Sequence, residues 1–193
     1  MTAPMLAIFV GGKSRRMGQH KGLLPIPEGS GPIVESLVDC AREAGFEPVL
    51  VGEATPYAHL AVGVTRIGDE PGNAGPLGGL RAALRHAVRT GRTHVVAIAC
   101  DMPYVSPKAL GEVGALQSDA PVVAARRGPD APWEPMLARY DATRLGDVLD
   151  SAVFSGVRSF QKLFAMIEVD ALPLTPAVAR ALDDWDTPED LTR

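Results

Sequence analysis

The sequence predicts an α/β protein built on a mainly parallel, doubly wound sheet. Short apolar runs of strand length alternate along the chain with segments of helical periodicity, a pattern typical of a parallel sheet covered by helices on both faces. The chain has 193 residues, of which 46% are hydrophobic, and this is enough for one substantial core. Because there is no internal repeat and no stretch long enough to be a linker, we expect residues 1–193 to form a single three-layer, Rossmann-like domain.

In the first half of the chain, four apolar runs predict strands. They are Met5–Val10, Pro48–Val51, Thr65–Ile67 and His94–Ala99. Between them, apolar residues recur at helical spacing in Pro32–Ala44, which Gly45 would terminate, and in Leu77–Val88, which follows a glycine-rich segment. The carboxyl ends of parallel strands meet at one edge of the sheet, so we expect a ligand to bind there.

The second half of the chain continues the alternation. Ser106 precedes Pro107, which predicts an N-cap followed by proline at the first helical position of a helix reaching about Gln117. The remaining predicted elements are strands at Pro121–Ala125 and Met136–Tyr140, a helix over Asp141–Ser151 and a short final helix from Thr187.

Composition argues against several classes of protein. A net charge of −4 is unlike the clustered positive charge of a nucleic-acid-binding protein. No apolar stretch approaches the roughly 20 residues of a membrane helix, and the N-terminus lacks the charged region of a signal peptide, so we expect a cytoplasmic protein. Cys40 and Cys100 are too few for a disulfide framework and are expected to be buried thiols, and the histidines show no metal-ligand spacing.

The segment that follows the first strand carries the most informative pattern. Gly11-Gly12 is followed by four cationic side chains, Lys13, Arg15, Arg16 and Lys21. Bare glycine backbone can approach an anion closely, and arginine and lysine bind phosphate oxygens, so a polyphosphate suits this loop. It is neither a Walker A motif, whose first glycine would fall at Ala7, nor a G-x-G-x-x-G motif. A basic surface loop remains the alternative.

Two carboxylates and a second glycine-rich segment are the other candidates. Asp101 follows the His94–Ala99 strand and could bind Mg²⁺ together with phosphate oxygens, or could cap the next turn. Asp69 could lie near the metal or a ribose, or could be an ordinary turn residue. Gly75-Pro76-Leu77-Gly78-Gly79 opens a helix and could offer backbone N–H groups to a ligand, or could form a tight turn.

These motifs resemble those of the molybdenum cofactor guanylyltransferases, the MobA family, whose first loop usually reads L-A-G-G-x-S-x-R-M-G-x-D-K. The matching positions in that loop are Gly11, Gly12, Ser14, Arg16, Met17, Gly18 and Lys21. There are four later matches, in family order: Asp69 followed by Gly75-Pro76-Leu77-Gly78-Gly79, then Cys100-Asp101-Met102-Pro103, then Glu134-Pro135-Met136, and finally Asp186-Thr187-Pro188-Glu189-Asp190-Leu191. Five motifs in this order are more specific than the first loop, which by itself indicates a broad superfamily.

The resemblance implies an Mg²⁺-dependent transfer of GMP from GTP to the phosphate of a molybdopterin-type cofactor, with release of pyrophosphate and transient contact with molybdoenzymes or other cofactor-biosynthesis proteins. It implies catalytic roles for Lys21, Arg16 and Asp101, with Asp101 as the metal ligand. The implied nucleotide-binding residues are Phe9, Val10, Gly11, Gly12, Ser14, Arg15, Lys21, Asp69, Gly75, Pro76 and Leu77. The candidate acceptor-binding residues are Glu134, Pro135, Arg158 and Asp186.

Two departures from the family pattern leave alternatives open. Val10 stands where the family usually has alanine, and His20 stands where it usually has aspartate. The segment Gly75-Pro76-Leu77 accompanies guanine selection in the family, whereas the related cytidylyltransferases lack it. The alternatives are a nucleotidyltransferase that uses CTP or another phosphorylated acceptor, and a non-catalytic carrier of nucleotide or cofactor.

Overall fold

The computed structural model describes residues 3–10, 20–26, 31–71 and 74–185, and within these ranges seven strands form one sheet. The strands are β1 Met5–Phe9, β2 Glu47–Val51, β3 Thr65–Ile67, β4 His94–Ala99, β5 Val122–Arg126, β6 Trp133–Asp141 and β7 Val169–Ala171. Their order across the sheet is β3-β2-β1-β4-β6-β5-β7. Strand β6 is antiparallel to β4 and β5, and every other pair is parallel. The predicted α/β class with a mainly parallel sheet is confirmed.

Helices cover both faces of the sheet. They are α1 Ile33–Glu43, α2 Pro76–Arg89, α3 Pro107–Ala115, α4 Ala142–Phe154, α5 Phe160–Phe164 and α6 Pro176–Ala181, with short 3-10 turns at Lys21–Leu23 and Thr55–Tyr57. Strand β1 is buried along its whole length because it has helices on both sides. Leu6 and Ile8 belong to the core under α1, α3 and α6, and the alternate residues Met5, Ala7 and Phe9 belong to the core under α2, α4 and α5.

The order in which the strands are added to the sheet reverses at β1. Strands β2 and β3 lie on one side of β1 and β4 lies on the other, so the connections from the carboxyl ends of β1 and β4 diverge and leave a crevice between them. The Cys100 amide donates to the Phe9 carbonyl at 3.0 Å and the Val10 amide donates to the Val51 carbonyl at 2.9 Å. Both bonds extend the ladder to the edge of this crevice.

Several predicted boundaries are corrected by the structure. Helix α3 ends at Ala115, before Gln117. Asp141 is the N-cap of α4, because its carboxylate accepts from the amides of the second and third residues after it, both at 2.9 Å. Val88 was expected on the buried face of α2, yet it is 53% exposed because Ala87 takes the inward position of the last turn.

Other predictions are confirmed or fall outside the described ranges. Ser106 caps α3 by accepting from the Ala109 amide at 3.2 Å, and Cys40 and Cys100 are free, buried thiols. The final helix expected from Thr187 lies outside the described residues. A search of the described helices finds none with the length and apolar character needed to cross a membrane.

Candidate active site

An ion pair between Lys21 and Asp101 lies at the mouth of the crevice. Lys21 Nζ is 3.0 Å from Asp101 Oδ2, and the two side chains are 15% and 22% exposed. Lys21 begins the first 3-10 turn, and Asp101 follows β4 after one intervening cysteine. The fold thus joins two predicted catalytic residues that are 80 positions apart in sequence.

The turn that carries Lys21 rests on a buried tyrosine. A β-carbon built on Gly22 would lie 2.8 Å from Tyr57 Cε1 and 3.3 Å from Cys100 Cβ, so the turn sits directly on these two side chains. Burial raises the pKa of Tyr57 well above its ordinary value, and the neighbouring Cys100 side chain acts in the same direction. The ring of His20 meets the Tyr57 ring edge-on, with 5.9 Å between centroids. His20 is therefore half-buried.

Replacing Gly22 with alanine is expected to displace the turn and with it Lys21. The added methyl would overlap the Tyr57 ring, which is held in the core, so we expect the free energy of unfolding to fall by about 1–3 kcal/mol. Gly128→Ala is the control, because nothing lies within 4 Å of a β-carbon at that position. Equal stability of the two variants in urea titrations would contradict the packing described here.

Cys100 next to Asp101 is not suited to nucleophilic chemistry. Burial, and with it the negative charge of Asp101, raises the pKa of its thiol to about 11. The thiol therefore stays protonated near neutral pH, and only the thiolate is a good nucleophile. Its role in this site is to pack under the Lys21 turn.

The predicted nucleotide-binding residues of β1, the β3–α2 loop and α2 are brought together. A β-carbon built on Gly79 would lie 2.9 Å from Phe9 Cε1 and 3.0 Å from Asp69 Oδ1, and one on Gly78 would lie 2.6 Å from the Pro71 carbonyl oxygen. Gly75 precedes α2 with φ of +62°, a conformation that favours glycine. The first turn of α2 can therefore pack tightly against β1 and the loop after β3.

Not every residue in this group presents its side chain to the crevice. Val10 and Leu77 are 2% and 0% exposed and lie in the two cores, whereas Gly75 and Pro76 are exposed. The extra methyl groups of Val10, which the sequence suggested could face a nucleotide, instead pack in the core under α1 and α3.

Partial burial of the Asp69 carboxyl group disfavours its charged form. Although the residue as a whole is exposed, its carboxyl end lies beside Phe9 and α2, and burial raises its pKa above the ordinary value of 3.8. The raised pKa means that the charged carboxylate is less favourable in the folded chain than in the unfolded chain. A titratable group whose pKa is shifted by burial at a crevice is a candidate for a functional residue.

The substitution Asp69→Asn is therefore expected to raise the melting temperature at neutral pH. The folded pKa lies above the unfolded one, so the wild-type penalty is present above the raised pKa and disappears as the pH falls toward 3.8. The advantage of the variant should shrink over that same interval. Asp130→Asn, in the exposed β5–β6 loop, is the control, and a variant less stable than wild type at neutral pH would contradict the argument.

Three of the four predicted acceptor residues, Glu134, Pro135 and Arg158, lie within the described ranges. Glu134 Oε1 lies 3.4 Å from Arg127 Nε, and the Pro135 carbonyl accepts from the Tyr140 hydroxyl at 2.6 Å. Arg158 donates to the carbonyls of Val153 and Val157 at 2.8 and 2.9 Å, near the end of α4. The main chain of Arg158 is close to Gly75, at 3.8 Å from a β-carbon built there, so Arg158 lies toward the nucleotide side.

Some predicted residues lie outside the described ranges, and some neighbours of the site were not predicted. Those outside are Gly11, Gly12, Ser14, Arg15, Arg16 and Asp186. The neighbours that sequence reasoning missed are Tyr57, Arg127 and Trp185, whose backbone amide donates to the Asp101 carbonyl at 2.9 Å. Arg127 had a signal only as half of the basic pair Arg126-Arg127, and Tyr57 and Trp185 had none that separates them from core aromatics.

The described residues suit a metal ion that arrives with a phosphate ligand. Among them there is no group of three or more histidine, cysteine, aspartate or glutamate side chains that could hold a metal. Asp101 offers one partly exposed carboxylate at the crevice. Mg²⁺ commonly uses one or two carboxylates and completes its shell with phosphate oxygens and water, so this donor set fits Mg²⁺ bound together with a nucleotide.

Comparison with known proteins agrees with this fold. The family model described as a MobA-like NTP transferase domain matches residues 6–169. A probable molybdenum cofactor guanylyltransferase from Mycobacterium tuberculosis is 34% identical, over 94% of this chain and 88% of its own length. A protein of the same name from Opitutus terrae is 28% identical, over 97% and 92%.

Solved structures share the fold. The crystal structure of molybdopterin-guanine dinucleotide biosynthesis protein A from Archaeoglobus fulgidus has a TM-score of 0.78 at 24% identity and covers 98% of this chain and 95% of its own. The chain is therefore an enzyme of the nucleotidyltransferase class. It belongs to the MobA-like NTP transferase family, as the sequence motifs indicated.

Proposed function

We propose that this chain is an Mg²⁺-dependent guanylyltransferase that moves GMP from GTP to the phosphate of molybdopterin, acting as a single domain in the cytoplasm. The observation that carries the proposal is the Lys21–Asp101 pair, 3.0 Å apart at the carboxyl ends of β1 and β4. Two relatives that are named probable molybdenum cofactor guanylyltransferase align with this chain over most of their length, and they support the choice of substrates.

The proposed reaction makes few demands on the protein. An oxygen of the acceptor phosphate monoester, already ionised near neutral pH, attacks the α-phosphorus of GTP. A new P–O bond forms, the bond from the α-phosphorus to the bridging oxygen breaks, and the electron pair leaves with pyrophosphate. No general base or covalent enzyme intermediate is required, so the protein contributes alignment and neutralisation of charge.

Each residue of the proposed site has its own role in this reaction. The Lys21 ammonium neutralises charge that develops on the leaving pyrophosphate, and the Asp101 carboxylate would be the protein ligand of Mg²⁺. When bound, Mg²⁺ would neutralise and orient the phosphates. The exposed Gly75 and Pro76, with Asp69, border the space for the nucleoside.

The test is the nucleotide preference of the protein, followed by turnover. A ligand that binds the folded state raises the melting temperature by mass action, so GTP, CTP, ATP and UTP are compared with Mg²⁺ and with chelator. We expect a shift selective for GTP that is lost with chelator, and release of pyrophosphate when molybdopterin is added. Selectivity for CTP would replace the proposed donor with a cytidine nucleotide.

The same experiment separates an enzyme from a carrier. Tight GTP binding without pyrophosphate release, in the presence of competent molybdopterin, would overturn the proposal in favour of a carrier. The chain retains both Lys21 and Asp101, in contact at the crevice, and a protein that only stores a nucleotide has no need to assemble this pair.

A further inference from the structure

The segment Leu182–Trp185, which follows α6, is attached to the active-site loop. The Trp185 amide donates to the Asp101 carbonyl at 2.9 Å. The Trp185 side chain is 4% exposed, and its ring meets that of Tyr104 edge-on with 6.4 Å between centroids. The position of this segment is therefore coupled to the backbone of the proposed metal ligand.

Arg127, directly after β5, holds the other end of the segment. Its Nη2 donates to the Leu182 carbonyl at 2.8 Å and lies 3.6 Å from Asp183 Oδ1. Its Nε lies 3.4 Å from Glu134 Oε1 on β6. One planar guanidinium thus joins the β5–β6 hairpin to the segment, and a forked donor is needed to reach both partners.

A second arginine holds the segment less directly. The Arg180 guanidinium lies 3.5 Å from the centroid of the Tyr104 ring, and its Nη1 is 3.4 Å from Asp183 Oδ2. Arg180 is on α6, and its carbonyl accepts from the Leu182 and Asp183 amides at the end of that helix. Loss of Arg127 would therefore remove the hairpin connection while Arg180 and Tyr104 keep the segment near the protein.

The contacts of Arg127 are poorly placed to add much overall stability. Its side chain is 51% exposed, and its two ion pairs are long, so each contributes little. The well-formed bond is the one to the Leu182 backbone. What Arg127 can fix is the position of the segment.

The position of the Leu182–Trp185 segment affects the half of the site that lies away from the nucleoside. The nucleotide-side residues Phe9, Asp69 and Gly79 gather around the β1, β2 and β3 half of the sheet. Strands β4, β6 and β5 form the other half, and the Leu182–Trp185 segment borders that half next to Asp101. A second substrate that approaches the α-phosphorus from the side away from the nucleoside would meet this segment.

We propose that Arg127 is a positioning residue that holds Leu182–Trp185 against Asp101 and so shapes the binding site for the phosphorylated acceptor. The proposal rests on the proposed function. Glu134 acts through Arg127, by orienting its guanidinium, and is not itself a contact of the acceptor. Arg127 does not touch the reacting atoms.

The first test is spectroscopic and does not depend on activity. The chain contains two tryptophans, Trp133 and Trp185, so Trp133→Phe leaves Trp185 as the only one. In that background, Arg127→Met should shift Trp185 emission to the red and increase its quenching by acrylamide. Arg42→Met is the matched control, since Arg42 is 54% exposed with an ion pair of 3.4 Å. Unchanged emission and quenching in the Arg127 variant would overturn the proposal.

The second test separates the two substrates in the native-tryptophan protein. We expect Arg127→Met to raise KM for the acceptor by about tenfold and to leave KM for GTP within about twofold, because a small displacement of a positioning element affects the substrate that it borders. Arg127→Lys should recover only part of the loss, since lysine lacks the fork. Glu134→Gln should resemble a mild form of Arg127→Met.

The outcomes keep the two proposals distinct. If the wild-type chain transfers GMP and Arg127→Met has an unchanged acceptor KM, the positioning role is overturned and the proposed function stands. If the wild-type chain transfers nothing to molybdopterin, the proposed function fails, and the Trp185 signal still decides whether Arg127 holds the segment.

Discussion

Replacement of Asp101 by asparagine is expected to lower kcat for guanylyl transfer by about a thousandfold while the chain still folds. Asparagine has the same shape but no negative charge, so it is a poor ligand for Mg²⁺ and cannot form the ion pair with Lys21 Nζ. Loss of one charge-stabilising group in an active site commonly costs on the order of 10²–10³ in rate, and here the loss extends to the metal.

Steady-state pyrophosphate release and circular dichroism would check this expectation together. Asp39→Asn is the control, since Asp39 is an exposed carboxylate on α1 whose Oδ1 lies 3.4 Å from Arg42. We also expect the GTP-induced thermal shift of the Asp101 variant to become insensitive to chelator. Retained, metal-dependent turnover would rule out Asp101 as the protein ligand.

The fold was largely predictable because its central strands are buried on both faces. Such strands appear in sequence as continuous apolar runs, and β1 and β4 were found within one residue of their observed bounds. Helix α2 was predicted from apolar residues at helical spacing and from the glycines before it. These signals are local, so the elements can be predicted without knowing which distant segments pack against them.

Other features of the fold could not be predicted from the local sequence pattern. The apolar pattern of β6 predicts a strand but says nothing about its direction, and the structure makes it antiparallel to β4 and β5. The short elements α5, β7 and α6 span five, three and six residues. Windows that short contain too few periods to distinguish a helix or a strand from a loop, and their conformation depends on tertiary packing.

In the candidate site, too, some features could be predicted from local sequence and others depend on tertiary packing. That Asp101 and Lys21 lie close together was predictable, because each follows a central strand in chain order and such residues meet at the carboxyl edge of the sheet. The contact of Gly22 with Tyr57 and the bond from Arg127 to Leu182 depend on which distant segments pack together. Glu134 was expected to bind the acceptor, and only the geometry relates it to Arg127.

Replacement of Lys21 by methionine is the second substitution with a large expected effect. Methionine keeps much of the length of the side chain but has no charge, so the leaving pyrophosphate loses a cation. We expect transfer to fall by about 10²–10³-fold, with a weaker thermal shift from GTP. Lys162→Met, on α5, is the control. Activity near the wild-type level would exclude Lys21 from the proposed role.

The double variant Lys21→Met/Asp101→Asn separates the structural role of the ion pair from its chemical role. The two side chains are 15% and 22% exposed, so each single substitution leaves a partly buried charge without this partner and should lower the free energy of unfolding by about 1 kcal/mol. The double variant should lose less than the sum, because residues in contact are not additive. Its activity should stay as low as that of either single variant, since the metal ligand and the phosphate cation are both gone. Recovery of activity together with stability would mean that the pair only holds the loop in place.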